Sequence, residues 1–383
     1  MSVTAAQGFD AAGVTAGLKT SGGLDLALVV NRGPLQNAAA VFTSNRSKAN
    51  PIIWSQQVIA DGTVSAIVLN SGGANCFTGA QGFQVTHSTA EAVGEALGVS
   101  AGDVLVCSTG LIGDQLPLDK VLAGVAAAAS GLGDNGELAS RAIMTTDSKP
   151  KRSVRTGTGG YTVGGMAKGA GMLAPGLATM LVVITTDAVL TSADLDIALR
   201  RATRVSFDRL DSDGCMSTND QVSLLASGAS GVEPQFDDFV ATLTAVCLDL
   251  AEQLQGDAEG ASHDIRIEVV GAESEDDAVE VGRSVARNNL FKAAVFGNDP
   301  NWGRVLAAIG TTDAAFDPYD VDVSMNGVRV CHQGAPDRPR SEVDITARRV
   351  DLLIDLRVGS ATATILTNDL THDYVHENSA YSS

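Results

Sequence analysis

The stretch from Lys168 to Asp187, KGAGMLAPGLATMLVVITTD, constrains the fold of this chain more than any other. Its second half, Met180 to Thr186, is short, continuous, apolar and rich in β-branched residues, a pattern that predicts a buried strand. The glycines and the proline before it disfavour a helix. Thr179 is therefore predicted to lie where a loop passes into a strand.

A hydroxyl at this edge has a specific chemical use. Thr179 can attack the carbonyl carbon of Ala178, convert that peptide bond to an ester, and leave the ester for water to cut. The α-amine exposed by the cut has an unperturbed pKa of about 7.7 to 8, so part of it is neutral near pH 7 and can accept the hydroxyl proton. Nucleophile and base then belong to one residue. From these residues alone, a threonine that only opens a buried strand is the simpler interpretation.

Length and charge limit the classes of function. A chain of 383 residues exceeds one typical core and predicts two domains. A net charge of -19, from 26 basic and 45 acidic residues, disfavours binding to nucleic acids and to anionic membrane surfaces. Neither nucleic acid nor membrane is therefore expected as a partner.

Cysteines and histidines indicate no metal or disulfide framework. The five cysteines are odd in number and scattered, without the spacing of a zinc or redox motif. His372 and His376 are four apart, but no third ligand at a fixed spacing accompanies them, so no metal is predicted. The first residues, MSVTAAQGFDAAGV, lack the regions of an export signal, and no apolar run approaches membrane-spanning length. We expect reduced thiols and a cytoplasmic location.

Strands and helices are predicted to interleave along the chain. Strands are predicted at 26–30, 38–43, 65–70, 103–107 and 263–270, and helices at 88–97, 117–129, 192–202 and 236–255. Ser192 is predicted to cap its helix, and Ser274 with Asp277 to form a capping box at the start of another. The basic segment 149–160 is predicted to be an exposed loop. A boundary near residue 262 divides the chain into a catalytic α/β domain, 1–262, and a C-terminal α/β domain, 263–383.

Ser108, Thr109 and Gly110 follow an apolar strand and precede a predicted helix. Such a strand end presents backbone N–H groups and a hydroxyl outward, as an oxyanion hole requires. A plain turn is the alternative on the residues alone.

Several segments together resemble one known family. KGAGMLAPGLATML (168–181) resembles the self-cleaving segment of the ornithine acetyltransferase family, also called glutamate N-acetyltransferase. Six further segments resemble that family's blocks in the same order: LNSGGANCFTG (69–79), VCSTGLIGDQLP (106–117), MTTDSKPK (144–151), FDRLDSDGCMSTND (207–220), FGNDPNWGR (296–304) and ENSAYSS (377–383). Blocks that agree in order along the whole chain are more specific than one motif.

The resemblance implies roles for individual residues. It implies a cut between Ala178 and Thr179, with Thr179 as nucleophile and with Thr109 and Gly110 as the oxyanion hole. The residues that the resemblance implies for substrate binding are Thr145, Lys168, Thr179, Glu259, Asn378 and Ser383. An acetylated ornithine offers a carboxylate to a lysine and an ammonium group to a carboxylate, so both signs of charge in this set make chemical sense.

The resemblance also implies the fold and the reaction. The fold would be α+β, of the ornithine acetyltransferase and aminopeptidase type, with sheets sandwiched between helical layers and a smaller C-terminal α/β domain. An acetyl group would pass from N-acetylornithine to Thr179 and then to glutamate, in a ping-pong reaction of cyclic arginine biosynthesis without metal or cofactor. The fragments 1–178 and 179–383 would remain associated, as a heterotetramer with two copies of each.

Some alternatives stay open at the level of sequence. No residue decides whether acetyl-CoA is also a donor, or whether the chain is a specialised paralogue with another acyl substrate. A related self-processed N-terminal-threonine aminopeptidase or amidase would share the Thr179 chemistry but use water as the acceptor. A non-catalytic ligand-binding protein would keep its chain uncut.

Overall fold

A computed structural model describes residues 2–174 and 180–380 of the chain. Strands and helices interleave up to the predicted boundary. The strands are β1 (Phe9–Val14), β2 (Leu26–Asn31), β3 (Asn37–Phe42), β4 (Ala66–Asn70), β5 (Val104–Ser108), β6 (Lys151–Thr156), β7 (Thr162–Lys168), β8 (Leu181–Thr186) and β9 (Gln221–Ala226). The helices are α1 (Asn50–Val58), α2 (Gly79–Leu97), α3 (Leu118–Ser130), α4 (Gly136–Ala142), α5 (Ser192–Val205) and α6 (Phe236–Gln255).

These strands form two sheets. One has the order β1-β2-β4-β5, and the other has the order β3-β9-β8-β7-β6. In the five-stranded sheet, β8 runs antiparallel to β7 and parallel to β9. The strand that follows the predicted cleavage segment is therefore central, with a partner from each side of that segment in the sequence.

The two sheets face each other across a shared core. In β8, Leu181 and Val183 belong to the core between the sheets, whereas Val182 and Ile184 belong to the core beneath α5 and α6. Helices α2 and α3 cover the outer face of the four-stranded sheet. Because a strand buried on both faces has no polar side, its sequence is a continuous apolar run. This confirms the strand predicted at 180–186, with its start one residue later.

A third sheet follows residue 262, with its own helices. Its strands are β10 (Asp264–Ala272), β11 (Asp322–Met325), β12 (Val328–His332), β13 (Ala335–Pro336), β14 (Arg349–Asp355) and β15 (Ala361–Asn368), in the order β13-β12-β11-β14-β10-β15. The helices are α7 (Glu275–Ala286), α8 (Asn289–Phe296), α9 (Trp302–Ile309) and α10 (His372–Ala380). A separate apolar cluster fills the space between this sheet and α7 to α9. The α+β fold with sheets between helical layers is confirmed, while the domain boundary at 262 stays a prediction.

The exposed loop predicted at 149–160 is wrong for half of its length. Residues 151–156 form the edge strand β6, which pairs with β7. Lys151 is fully buried, with its ammonium group between Asp147 and Asp257. A lysine is buried only where carboxylates neutralise it. Asp257 is distant in sequence, so its ion pair with Lys151 could not be predicted. Without that partner, the basic character of the segment indicated exposure.

Helix starts partly agree with the sequence. The serine cap predicted at Ser192 is wrong, because Thr191 is the cap and its hydroxyl accepts the N–H of Asp194. The predicted cap at Ser274 is confirmed, since its hydroxyl accepts the N–H of Asp277 at the start of α7. The helix predicted at 88–97 is the second half of α2, which begins earlier, at Gly79. The other predicted strands and helices are confirmed, with ends that differ by a few residues. Within the part of the chain that the structure describes, no helix has the length and apolarity to cross a membrane.

Candidate functional site

The five-stranded sheet ends beside the segment predicted to be cut. Lys168, the last residue of β7, is paired with Leu181, the first residue of β8. On the other side of β8, Gln221 opens β9 opposite Leu181. Ala178 and Thr179 lie outside the described residues. The structure therefore places the flanks of the predicted cut, and these flanks lie at one end of the sheet.

The segment 207–220 holds both flanks. Asp213 Oδ2 accepts the N–H of Met172 at 2.8 Å on the upstream side. Asp220 Oδ1 accepts the N–H of Met180 at 3.0 Å on the downstream side. Met172 has a φ of 54°, in the left-handed region that a methionine adopts only where contacts hold it. Two carboxyl groups thus fix the backbone before and after the predicted cut.

Lys168 carries a charge that is almost removed from solvent. Only 2% of its surface is exposed. Burial lowers the pKa of Lys168, and the carboxylates of Asp147 and Glu259 partly oppose that effect, while Lys151 adds to it. Burial removes water from the ammonium group of Lys168. A ligand carboxylate would replace that lost hydration, so this end of the sheet is suited to bind an anion.

Asp147 joins these charges to Thr145, one of the predicted substrate residues. One of its oxygens accepts from Lys151 Nζ at 2.5 Å and from the N–H of Gly169 at 2.7 Å. The other oxygen accepts the N–H of Thr145 at 3.0 Å. Burial alone would raise the pKa of Asp147, but Lys168 and Lys151 outweigh burial and hold that pKa below its ordinary value. Asp147 therefore stays ionised and fixes the backbone on both sides of the site.

Glu259 reaches the same region from the loop after α6. Its N–H donates to the carbonyl of Ala170 at 3.0 Å. Its Oε2 accepts from Asn378 Nδ2 on α10, also at 3.0 Å. A Cβ at Gly171 would lie 2.5 Å from the Glu259 carboxylate, so a larger residue there would require the Glu259 side chain to move. Glu259 and Asn378, both predicted to bind substrate, are therefore in contact. Ser383, which was also predicted to bind substrate, lies outside the described residues.

Thr109 and Gly110 follow β5, which ends at Ser108. The N–H of Thr109 donates to the carbonyl of Asn70 at 3.0 Å. The donors that this pair can turn towards a substrate are therefore the Thr109 hydroxyl and the Gly110 N–H. Gly110 has a φ of 128°, and a Cβ there would lie 2.8 Å from the backbone nitrogen of Gly73. Only glycine fits this position, which leaves the strand end open to a ligand.

Three cavities are lined by some of the predicted residues. One, of about 510 Å³, is lined by Gly110, Thr145 and Lys19. Two others, of about 260 and 470 Å³, are both lined by Glu259. Gly110 and Thr145 therefore line one cavity, Glu259 lines two others, and Asp147 bonds to the backbone of Thr145 and of Gly169.

Two acidic residues of the site were missed by sequence reasoning. Asp147 and Asp220 both lie in segments that resemble blocks of the family, yet neither was given a role. Both are buried, with 7% and 0% of their surfaces exposed. An aspartate in a polar segment has the same pattern whether it is exposed or buried, so the position inside a block was the one signal available.

The two histidines at spacing four lie on α10. His372 packs edge-on against the ring of Phe296, with the ring centroids 5.4 Å apart. In residues 2–174 and 180–380, no group of three or more His, Cys, Asp or Glu side chains is arranged to hold a metal ion.

Known proteins resemble this chain along its whole length. A family model described as ArgJ family matches residues 10–383. The arginine biosynthesis bifunctional protein ArgJ of Streptomyces coelicolor is 64% identical over 384 residues, with 100% of both chains aligned. The protein of the same name from Thermobifida fusca is 60% identical, with the same coverage. The crystal structure of arginine biosynthesis bifunctional protein argJ from Bacillus halodurans aligns with a TM-score of 0.50 and 33% identity, over 52% of this chain and 98% of that one.

Proposed function

This chain belongs to the ArgJ family and is an N-acyltransferase, and on that premise we propose that it moves an acetyl group from N-acetylornithine to glutamate in arginine biosynthesis. The observation that carries this proposal is the presence of Lys168 and Glu259 near each other, at the sheet end where the predicted nucleophile segment lies. A substrate with a carboxylate and an ammonium group needs both signs of charge in one site.

The charges suggest how each substrate binds. In the proposed complex, Lys168 binds the α-carboxylate of N-acetylornithine, and Glu259 binds the side-chain ammonium group. Asn378 holds the Glu259 carboxylate in place, and Thr145 adds a hydroxyl. Glutamate brings two carboxylates and one ammonium group to the same site. After ornithine has left, a carboxylate of glutamate binds Lys168 in its place.

The proposed reaction has two half-reactions. Thr179 Oγ attacks the acetyl carbonyl carbon, its proton passes to the α-amine of the same residue, and the Thr109 hydroxyl and Gly110 N–H stabilise the oxyanion. The C–N bond then breaks, and ornithine leaves with the proton on its α-nitrogen. In the second half, the amine of glutamate attacks the acetyl-Thr179 ester and restores the hydroxyl. No cofactor is needed for this sequence.

This mechanism requires a free amine at Thr179, and so a cut after Ala178. The alignment of the solved Bacillus halodurans chain supports such a cut, because almost all of that chain matches only half of this one. Fragments 1–178 and 179–383 would remain together. Their assembly as two copies of each, and the cytoplasmic location, stay predictions.

A single assay tests the function. Purified protein is incubated with N-acetylornithine and isotope-labelled glutamate, and the labelled products are separated. We expect labelled N-acetylglutamate, parallel double-reciprocal lines, and one added acetyl mass on the fragment that begins at Thr179 when glutamate is omitted. Acetate without acetylated glutamate would instead indicate the amidase alternative.

Two controls accompany the assay. Thr179→Ala should give a single uncut chain on a denaturing gel and no transfer, whereas Thr179→Ser keeps a hydroxyl and should retain some cutting. Acetyl-CoA replaces N-acetylornithine in a parallel reaction, because the relatives are named bifunctional. Acetylation of glutamate there would add acetyl-CoA as a second donor.

A further inference from the structure

One lysine without a role in the reaction proposed above lies in the cavity that contains Gly110 and Thr145. This lysine is Lys19, which lines the cavity of about 510 Å³. Its ammonium group donates to the carbonyl of Leu24 at 2.9 Å and to that of Met144 at 2.6 Å. Met144 directly precedes Thr145, so this ammonium group is bonded to the backbone one residue from a predicted substrate residue.

The loop that carries Lys19 is held in place by a buried carboxylate. Asp25 is 0% exposed, and its Oδ2 accepts the N–H of Leu18 at 2.6 Å and that of Lys19 at 3.0 Å. Leu18 packs against Gly72, where a Cβ would lie 2.2 Å from the Leu18 Cβ. Gly72 also lies against Gly110, because a Cβ at Gly110 would lie 3.2 Å from the Gly72 carbonyl carbon. The backbone of Lys19 is therefore fixed relative to a predicted oxyanion donor.

The ammonium group of Lys19 has room for one more partner. Both partners that the structure shows are carbonyl oxygens, which accept hydrogen bonds but carry no net charge. Since an ammonium group has three N–H donors, two bonds leave one donor for a ligand. Burial lowers the pKa of Lys19, while the carboxylates of Asp25 and Asp147 oppose that effect. A ligand carboxylate in the cavity would replace the hydration that burial removes.

Lys19 and Lys168 are linked through one carboxylate. Asp147 accepts the N–H of Thr145, and the carbonyl that precedes Thr145 accepts from Lys19. Asp147 also accepts the N–H of Gly169, the residue after Lys168. The charge of Lys168 lowers the pKa of Lys19 further, so the two ammonium groups are close enough to act on each other. Two cations are therefore available to one ligand.

The two substrates of the proposed reaction differ in their number of carboxylates. N-acetylornithine has one carboxylate and one ammonium group, which the proposed complex pairs with Lys168 and Glu259. Glutamate has two carboxylates, and its amine must be neutral to attack the acetyl ester. If Lys168 were the only cation in the site, one carboxylate of bound glutamate would leave water without a partner, which is unfavourable.

We propose that Lys19 binds the side-chain carboxylate of the acceptor glutamate while Lys168 binds its α-carboxylate, so that Lys19 selects glutamate over amino acids with a neutral side chain. This inference rests on the proposed function and names the group that distinguishes the acceptor from the donor. The remaining N–H of Lys19 donates to the carboxylate, and the two carbonyls hold the ammonium group in position. The same charge repels the side-chain ammonium group of ornithine, which is therefore left to Glu259.

Steady-state kinetics test the proposal on the mature protein. In a ping-pong reaction, kcat/KM for N-acetylornithine reports the first half-reaction, and kcat/KM for the acceptor reports the second. Lys19→Met should lower kcat/KM for glutamate by about 10 to 100-fold, the range for a hydrogen bond to a charged group, and should change kcat/KM for N-acetylornithine far less. Glutamine carries a neutral amide of similar shape. It should be a poor acceptor for wild type, and Lys19→Met should use it equally well.

Three further variants separate charge from structure. Lys120→Met is the matched control, because Lys120 donates to the carbonyl of Gly17 on the same loop at 2.8 Å, yet it is exposed and does not line the cavity. This variant should keep the wild-type kcat/KM for glutamate. Lys19→Gln keeps a donor for the carbonyls of Leu24 and Met144 but lacks the charge, so it should resemble Lys19→Met. Lys19→Arg keeps the charge and should recover part of the activity with glutamate.

Two kinds of result would overturn the proposal. Wild-type protein that uses glutamine as efficiently as glutamate would do so without any variant. A folded Lys19→Gln protein that keeps the wild-type kcat/KM for glutamate would also do so, as would an equal fall in kcat/KM for both substrates, since Lys19 would then not distinguish the acceptor. Failure of the proposed function is a different result, namely wild-type protein that acetylates neither glutamate nor glutamine from N-acetylornithine.

Discussion

The five-stranded sheet and the third sheet treat charged residues in opposite ways. β8 is buried along its whole length, whereas β10 alternates, with Arg266 and Glu268 on its exposed face. Charges on β10 are solvated and cost little. In the five-stranded sheet, Lys168 and Lys151 are buried at the sheet end. Burying an ion costs several kcal/mol unless it is well paired. Charged residues that are kept at buried positions despite this cost are therefore the ones to examine for function.

Lys151 should give the largest effect on stability. Lys151→Met leaves the carboxylates of Asp147 and Asp257 buried without their common partner, which should lower the free energy of unfolding by about 3 to 5 kcal/mol. Arg349→Met in β14 is the matched control. It breaks an exposed ion pair with Asp351 and should cost at most about 1 kcal/mol. Urea unfolding of both variants measures the difference. Equal losses would contradict the contrast between the two sheets.

Among the residues that the structure describes, Thr109 should give the largest effect on catalysis. Thr109→Val removes the hydroxyl proposed to stabilise the oxyanion, and kcat should fall by about 100 to 1000-fold. Thr109→Ser should recover most of the activity, because the hydroxyl is retained. Thr362→Val, at an exposed position of β15, serves as the control in the third sheet and should leave kcat unchanged. Steady-state kinetics of the three variants decide, and an effect confined to KM would make Thr109 a binding residue.

Lys168 should affect substrate binding through its charge. Lys168→Met should raise KM for N-acetylornithine by about 10 to 100-fold, the range for a hydrogen bond to a charged group. Because burial lowers the pKa of Lys168 from 10.5, the charge is present below that lowered pKa and is lost as pH rises through it. Wild-type KM should therefore rise with pH before an exposed lysine would lose its charge.

Two comparisons check this interpretation of Lys168. The Lys168→Met variant should lack the rise in KM with pH, since it has no ammonium group to lose. Arg266→Met in β10 should behave like wild type at every pH. A wild-type KM that is flat up to the ordinary pKa of lysine would show that Lys168 does not bind the substrate carboxylate.

Asn378 should give the smallest effect. Asn378→Ala removes one hydrogen bond to the Glu259 carboxylate, so KM should rise by about 2 to 10-fold. His376→Ala, at an exposed position on the same helix, is the control.

A tag placed after Ser383 extends the test to the chain end, where it should impair transfer, while the same tag before Met1 should not. Full activity with the C-terminal tag would remove Ser383 from the proposed site.

Strands that are buried on both faces were predictable from the sequence. The run at 180–186 is apolar throughout because both sides of β8 pack against other residues, and the same reason accounts for β2 and β4. β6 was not predictable. Its lysine is buried because Asp257 lies beside it, and Asp257 is more than a hundred residues further along the chain.

The candidate site shows the same limit. The resemblance to a family pointed to Lys168, Glu259 and Asn378, and the structure brings the last two into contact. It did not point to Asp147 or Asp220, because their importance depends on burial and on backbone N–H groups from other segments. Such contacts arise from the fold and leave no periodic pattern in the sequence.

The order β3-β9-β8-β7-β6 has a consequence for a molecule cut between Lys168 and Leu181. β3, β7 and β6 would then belong to one polypeptide, and β8 and β9, which lie between β3 and β7, to the other. Each fragment would have unpaired strand edges that only strands of the other fragment can pair with. Such a protein folds once as a single chain but separates on denaturation into two. Its melting temperature would then depend on protein concentration, and its renaturation would follow second-order kinetics.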